Sequence, residues 1–308
     1  MERKISIADL KTAVDEAYEK YKDLSDGTVD PRSGEVNVAD FGISVVLTDG
    51  TVISRGSVDT PSPLGSISKV PTAVLLMTQT TPEQMMDKTG GCSCKKSCGS
   101  KPKLPVSAKG IRMVSAVQPQ GDPDGKWDLI SNNMISMMGT SPVLDDKLYK
   151  SLLDACKQAD AENVMAQDGW FLFDDAPIAI DQYAKLTSMR ATAAQLATMT
   201  ATIAADGINP VTKESVFDGA TSQKVTGMMA AKGPHKMAKP WLVMTGLPAV
   251  SSFGGAIAGV MPGAFGIAAY SPLVNEKGVS KRAAKALAYI MNKLQISALA
   301  SARVTFTA

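Results

Sequence analysis

A single histidine, His235, stands in a chain of 308 residues, and that scarcity removes a class of chemistry at once. A zinc or iron centre built on several imidazoles cannot be assembled here. Cysteine is scarce too: Cys92, Cys94, Cys98 and Cys156 are the whole supply. The opening MERKISIADLKTAVDEAYEKYKDL alternates charged and apolar residues and lacks the unbroken apolar centre of a signal peptide. Export is therefore not expected, and free thiols in a reducing cytoplasm are. No long apolar run offers itself to a membrane: the least polar stretch, Trp241 to Leu273, is cut by Pro248, Pro262 and six glycines and reads as buried strands and turns. Charge of one sign is also missing. Lys and Arg number 32 against 30 Asp and Glu, net +2, spread along the chain with no basic stripe, so nucleic acid is not an expected partner.

Hydrophobic residues at 44% and charged residues at 20% are those of an ordinary globular protein. Since single cores stop growing at about 250 to 300 residues, one compact catalytic unit is expected. Apolar residues at Ile7, Leu10, Ala13, Val14, Ala17 and Tyr21 have helical spacing. Phe41 to Leu47 and Thr51 to Ser54 are β-rich and flank Asp49-Gly50, a hairpin signal. Residues 80–109 read as an exposed insertion, and Leu144 to Ala205 as an all-helical lobe stopped by Gly207. LVMTGLP, GGAIAGVMPG and FGIAAYSP read as short strands, and SKRAAKALAYIMNKL as a closing amphipathic helix. The pattern predicts an α/β (α+β) chain. Residues 1–65 and 240–308 form a sheet-plus-helix lobe, and residues 66–239 a mainly helical lobe with a Cys-rich insertion near 88–104.

Ser66 and Lys69 stand three residues apart at the start of the apolar helix SISKVPTAVLLMTQ, which puts an amine and a hydroxyl on one face. A serine needs a neighbouring base to become a nucleophile, and an amine withdrawn from water can serve. Ser-x-x-Lys is also the spacing of penicillin-recognising enzymes, although so short a motif equally describes a capping serine beside a solvated lysine.

Four ordered stretches supply the context. AYEKYKDLSDGTV (17–29), SISKVPT (66–72), LATMTATIAADGINPVT (196–212) and TGLPAVSSFGGAIAGVMPGAFGIAAYSP (245–272) resemble the bacterial glutaminases. The resemblance implies a β-lactamase/penicillin-binding-protein-like fold, with an antiparallel sheet formed by both termini, flanking helices and a helical lobe. It implies that Ser66 attacks a side-chain carboxamide with Lys69 as base, releasing ammonia and leaving an acyl-enzyme for water. Tyr183 matches the family tyrosine that assists proton transfer; as a bare residue it reads equally as packing. The oxyanion hole would be the backbone N–H groups of Ser66 and Phe253. The family is oligomeric, so a homo-oligomer, dimer or tetramer, is expected.

Departures from the family pattern fall on the substrate. Gly65 replaces glutamine before the nucleophile. Asp124-Gly125-Lys126 stands at the substrate-holding asparagine segment, and Cys156 falls where a glutamate grips the substrate amino group. Asn163 matches the next family asparagine. Lys232-Gly233-Pro234-His235 replaces Cys-Gly-Met-Tyr, and Val250-Ser251-Ser252 replaces Lys-Ser-Gly. Gly65, Asn163 and Ser251 are the candidate substrate-binding positions, and His235 is a candidate for proton transfer in place of the family tyrosine. Buried unpaired charge is costly, so glutamine should bind poorly. The spacing of Cys92, Cys94 and Cys98 suits a soft metal, a redox loop or a plain loop of reduced thiols; no cofactor is otherwise required. Three functions follow: an amidohydrolase acting on a small amide, a catalytically silent binding or assembly module, or an acyl transferase using another acceptor.

Overall fold

In the computed structural model, residues 2–81, 84, 104–167, 172–234, 237–301 and 303–307 are described. The chain opens with β1 (Glu2–Ser6) and α1 (Ile7–Tyr21), where Ser6 caps the helix by accepting the Asp9 N–H. After β2 (Thr28–Val29), the predicted hairpin follows as β3 (Gly42–Leu47) and β4 (Val52–Gly56). β5 (Ser62–Pro63) leads through a 3-10 turn at Gly65–Ser68 into α2 (Lys69–Gln79). Next come α3 (Ala108–Ser115), α4 (Pro123–Met138), β6 (Val143–Leu144), α5 (Asp146–Gln158), α6 (Ala161–Gln167) and α7 (Ala176–Ser188). β7 (Met189–Ala191), α8 (Ala193–Ala204), α9 (Gly219–Lys232) and α10 (Ala238–Thr245) continue the chain. It closes with β8 (Ala249–Ser251), β9 (Ala256–Met261), β10 (Phe265–Tyr270), β11 (Leu273–Val274), α11 (Lys281–Leu294) and β12 (Arg303–Thr307).

The main sheet has the order β4-β3-β10-β9-β8, antiparallel throughout, and so joins both ends of the chain. Because strand side chains alternate between faces, each strand feeds two cores. Ile43, Val45, Leu47, Ile257, Phe265 and Ile267 point to the side covered by α1 and α11. Val46, Ala256, Ala258, Val260, Ala268 and Tyr270 point to the side covered by α8 and the helices behind it. The second face is paved with small residues for a physical reason: α8 lies directly on the strands. A Cβ at Gly266 would fall 2.1 Å from Ala201 N and 2.3 Å from Ala197 O, both helix backbone atoms that cannot swing aside. Gly266→Ala is therefore expected to destabilise the fold by about 1–3 kcal/mol or more through overpacking, read as a lowered urea midpoint.

Three sequence expectations are corrected. The region 144–205 is not all helix, because β7 interrupts it and pairs with β5 and β6 in a small three-stranded sheet. Arg190, in β7, donates to Asp145 at 2.7 Å and to Ser33 O at 2.7 Å, which fixes the strand between two helices. The LVMT of LVMTGLP is helical, not a strand: α10 runs through Thr245, ends on Gly246 at φ +60, and is pinned by Trp241 Nε1 donating to Leu247 O. The described end of the expected exposed insertion, residues 104–109, is half-buried to buried, and its last two residues begin a helix. Ser107 caps α3, whose Ile111 and Val114 are fully buried.

Candidate active site

Ser66 lies in the 3-10 turn and Lys69 opens α2 one turn later, so both stand at the seam between the main sheet and the helices. Lys69 Nζ is 3.5 Å from Ser66 Oγ, and both residues are half-buried. The turn is held from three sides. Ser68 Oγ donates to Gly65 O at 2.6 Å, Leu64 N–H donates to Met189 O at 2.7 Å, and Ser252 Oγ donates to Pro63 O. Gly254 N–H completes the clamp by donating to Ser252 Oγ at 3.0 Å.

Gly65 is required at its position. Its φ of +50 lies in the left-handed region, and a Cβ would meet Phe253 ring carbons at 2.8 and 2.9 Å and Ser252 Oγ at 2.9 Å. Gly65 is thus pressed against the loop that follows β8, bringing the backbones of Ser66 and Phe253 to the same seam. The Arg32 guanidinium, itself paired with Asp30, covers the Phe253 ring at 3.9 Å. Ser251, at the end of β8, is buried, and its Oγ has no hydrogen-bond partner among the described residues.

Tyr183 is buried on α7 with its ring centroid 5.9 Å from Lys69 Nζ. Its ring and hydroxyl fill the space a side chain at position 110 would occupy: a Cβ on Gly110 would sit 2.3 Å from the phenolic oxygen. This contact between α3 and α7 carries in a residue the sequence reading missed. Lys109, next to Gly110, feels the charge of Lys232, at the end of α9, and of Lys69. Burial, then the Lys232 and Lys69 ammonium groups, push its amine down to about 8. Nothing in spacing links these three lysines; tertiary packing alone gathers them.

Other sequence candidates are placed elsewhere or not at all. Asn163 is exposed on α6 and donates to Asp160 at 2.8 Å. Cys156 is buried beside a cavity of about 110 Å³ lined also by Leu153, Pro177 and Ile180, and burial pushes its thiol up, partly offset by the Val106 N–H. Asp124 and Gly125 belong to a capped helix start in which Asp122 accepts the Gly125 N–H at 2.9 Å, and Lys126 is buried in the helical lobe. His235 and the thiols Cys92, Cys94 and Cys98 lie outside the described residues. Among the described residues no three His, Cys, Asp or Glu side chains gather as a metal site, and no helix is long and apolar enough to cross a membrane.

An antiparallel sheet with helices on both faces and a Ser-x-x-Lys turn at its edge is a β-lactamase-like arrangement, and the solved structures it resembles are glutaminases. The probable glutaminase ybaS superposes with a TM-score of 0.85 at 27% identity, covering 96% of this chain and 99% of that one. A Bacillus subtilis glutaminase solved as a covalent complex with 5-oxo-L-norleucine superposes with a TM-score of 0.80 at 21% identity, covering 94% and 98%. In sequence, the glutaminase of Bacteroides thetaiotaomicron is 37% identical over 96% of this chain and 97% of its own. That of Parabacteroides distasonis is 35% identical over 99% of each. The glutaminase family model matches residues 30–299, and the chain belongs to the glutaminase family, hydrolases of amide C–N bonds.

Proposed function

We propose that the protein hydrolyses a small carboxamide, glutamine or a related amide, through an acyl-enzyme on Ser66. The observation that carries this is the 3.5 Å approach of Lys69 Nζ to Ser66 Oγ on a half-exposed, firmly held turn. Lys69 accepts the hydroxyl proton as Oγ attacks the amide carbonyl, and the tetrahedral oxyanion is received by the backbone N–H groups of Ser66 and Phe253. The proton passes to the departing nitrogen, ammonia leaves, and water releases the carboxylic acid and restores Ser66. Tyr183, packed beside Lys69, assists that transfer. The proposed reaction runs on side chains and main-chain donors alone. A Bacillus subtilis glutaminase of this fold forms a covalent complex with 5-oxo-L-norleucine on reaction with 6-diazo-5-oxo-L-norleucine, which supports a nucleophile in a site of this kind.

The test is ammonia release from glutamine, asparagine and simple primary amides, joined to intact-mass detection of an acyl adduct mapped to Ser66. An adduct on Ser66 with ammonia release supports the hydrolase. Adduct formation with acyl passed to an added amine instead of water would make it a transferase, and neither adduct nor ammonia would leave the silent module. Gly110→Ala probes the role of Tyr183: its Cβ must displace the ring, and kcat/KM is expected to fall about 100-fold while circular dichroism stays native. Family resemblance also supports a dimer or tetramer in the cytoplasm, which light scattering checks for assembly.

A further inference from the structure

We infer that Arg32 is a positioning residue for the oxyanion hole: it holds the Phe253 ring against Gly65 and so fixes the Phe253 N–H beside Ser66. The inference rests on the proposed hydrolase reading, in which that N–H receives the tetrahedral oxyanion. Asp30 and Pro31 start a 3-10 turn, Pro31–Ser33, with Asp30 Oδ1 accepting the Arg32 N–H at 3.0 Å. The same carboxylate accepts from Arg32 Nε at 2.9 Å and from Nη2 at 2.7 Å, a two-pronged pairing that fixes the plane of the guanidinium. With those nitrogens spent on Asp30 and its charge neutralised there, the guanidinium meets the Phe253 ring 3.9 Å from its centroid. The turn is itself anchored by Arg190, whose Nη2 donates to Ser33 O at 2.7 Å. Arg190 is also the β7 partner of Pro63, which lies just ahead of Gly65 in β5. The turns that carry Arg32 and Ser66 are therefore both referenced to one residue.

Phe253 needs this cover. It is half-buried between buried Ser252 and Gly254, whose places are fixed: Ser252 Oγ donates to Pro63 O and accepts the Gly254 N–H at 3.0 Å. The Phe253 N–H donates to no acceptor among the described residues, as a donor kept for an oxyanion must. The freedom that remains is the swing of the ring, which turns the peptide carrying that N–H. Gly65 limits the swing on one side, where a Cβ would already stand 2.8 Å from a ring carbon, and Arg32 limits it from the other partner. Donation to an oxyanion is useful only over a few tenths of an ångström, so a ring that drifts weakens the hole without emptying it.

The experiment is a double-mutant cycle on kcat and KM for the best amide, using wild type, Arg32→Met, Phe253→Leu and the two combined, with Arg32→Lys as the conservative variant. Amide hydrogen exchange at residues 252–254 is followed by NMR in the same proteins. Arg32→Met is expected to lower kcat about tenfold, less than the loss of about 10²- to 10³-fold for a whole oxyanion donor, and to move KM by less than about twofold. Arg32→Lys keeps a cation without the planar fork and is expected to lose about threefold. In the Phe253→Leu background Arg32→Met should change kcat by less than about twofold, because the ring through which it acts is gone. Exchange at Phe253 should quicken in Arg32→Met, while the thermal midpoint stays within a few degrees, the Arg32 side chain being 42% exposed. Equal losses of kcat in both backgrounds, a loss carried by KM alone, or unchanged exchange at Phe253 overturns the inference. Amide turnover that Arg32→Met leaves unmoved overturns the inference alone, whereas a wild type that releases no ammonia and forms no Ser66 adduct overturns the hydrolase reading and the inference with it.

Discussion

Ser66→Ala is expected to lower amide turnover by about 10⁴-fold or more, to the level of background, because no other hydroxyl can take its place on the turn. Ser68 faces away and is spent on Gly65 O, and Ser252 is spent on Pro63 O. Lys69→Met should cost less, about 10²- to 10⁴-fold, since it removes the proton acceptor and leaves the nucleophile and the main-chain donors in place. The two changes together should cost no more than Ser66→Ala alone, because the pair acts as a unit. Stability provides the control. Ser66 is half-buried and caps neither the 3-10 turn nor α2, so its replacement should move the unfolding free energy by no more than about 0.5 kcal/mol. A Ser66→Ala protein that keeps wild-type kcat/KM on the best amide would remove the acyl-enzyme mechanism. One that loses activity with a collapsed thermal midpoint would mean that the turn, rather than the hydroxyl, had been lost.

What could be read beforehand divides along the boundary between local and tertiary information. α1, α11 and the β3–β4 hairpin were legible because amphipathic period and turn chemistry are written within a few residues. β1 and β12 were not. ERKIS and RVTFT become strands only because the two ends of the chain pair in parallel, a contact no local pattern announces. α10 misleads for a related reason: LVMT is β-like in composition, and the helix is settled by left-handed Gly246 and by the Trp241 indole reaching Leu247 O. In the site, Ser66 and Lys69 were legible because three residues of spacing fix their geometry once a helix begins. Lys109 was not, because it follows a stretch with no periodic signal and comes into the field of Lys69 and Lys232 only through tertiary packing. Spacing also does not fix where an expected substrate-holding residue points: the helix that carries Asn163 presents it to solvent, where it donates to Asp160.

Lys126 illustrates how burial changes the meaning of a charged residue, and its removal should give the largest loss of stability of any single change considered. Its side chain is fully enclosed, with Nζ 2.5 Å from Asp174 Oδ2, 3.2 Å from Ser115 O and 3.4 Å from Val114 O. Asp174 in turn accepts the Gly121 N–H at 3.0 Å, so the pair ties the start of α4 to the end of α3 and the approach to α7. Burial alone holds the Lys126 ammonium below the ordinary lysine value, against the upward pull of Asp174. Lys126→Met leaves an enclosed carboxylate without its cation, and Asp174→Leu leaves an enclosed ammonium without its anion. Each is expected to cost about 3–5 kcal/mol. Lys126→Met together with Asp174→Leu removes both charges and strands only the neutral groups at Gly121, Val114 and Ser115, so the double variant should be more stable than either single one. Urea unfolding of the four proteins reads this as a crossing of the usual order. If the double variant instead lost the sum of the two single effects, the residues would not be coupled, and the enclosed pair would not be what holds these helices together.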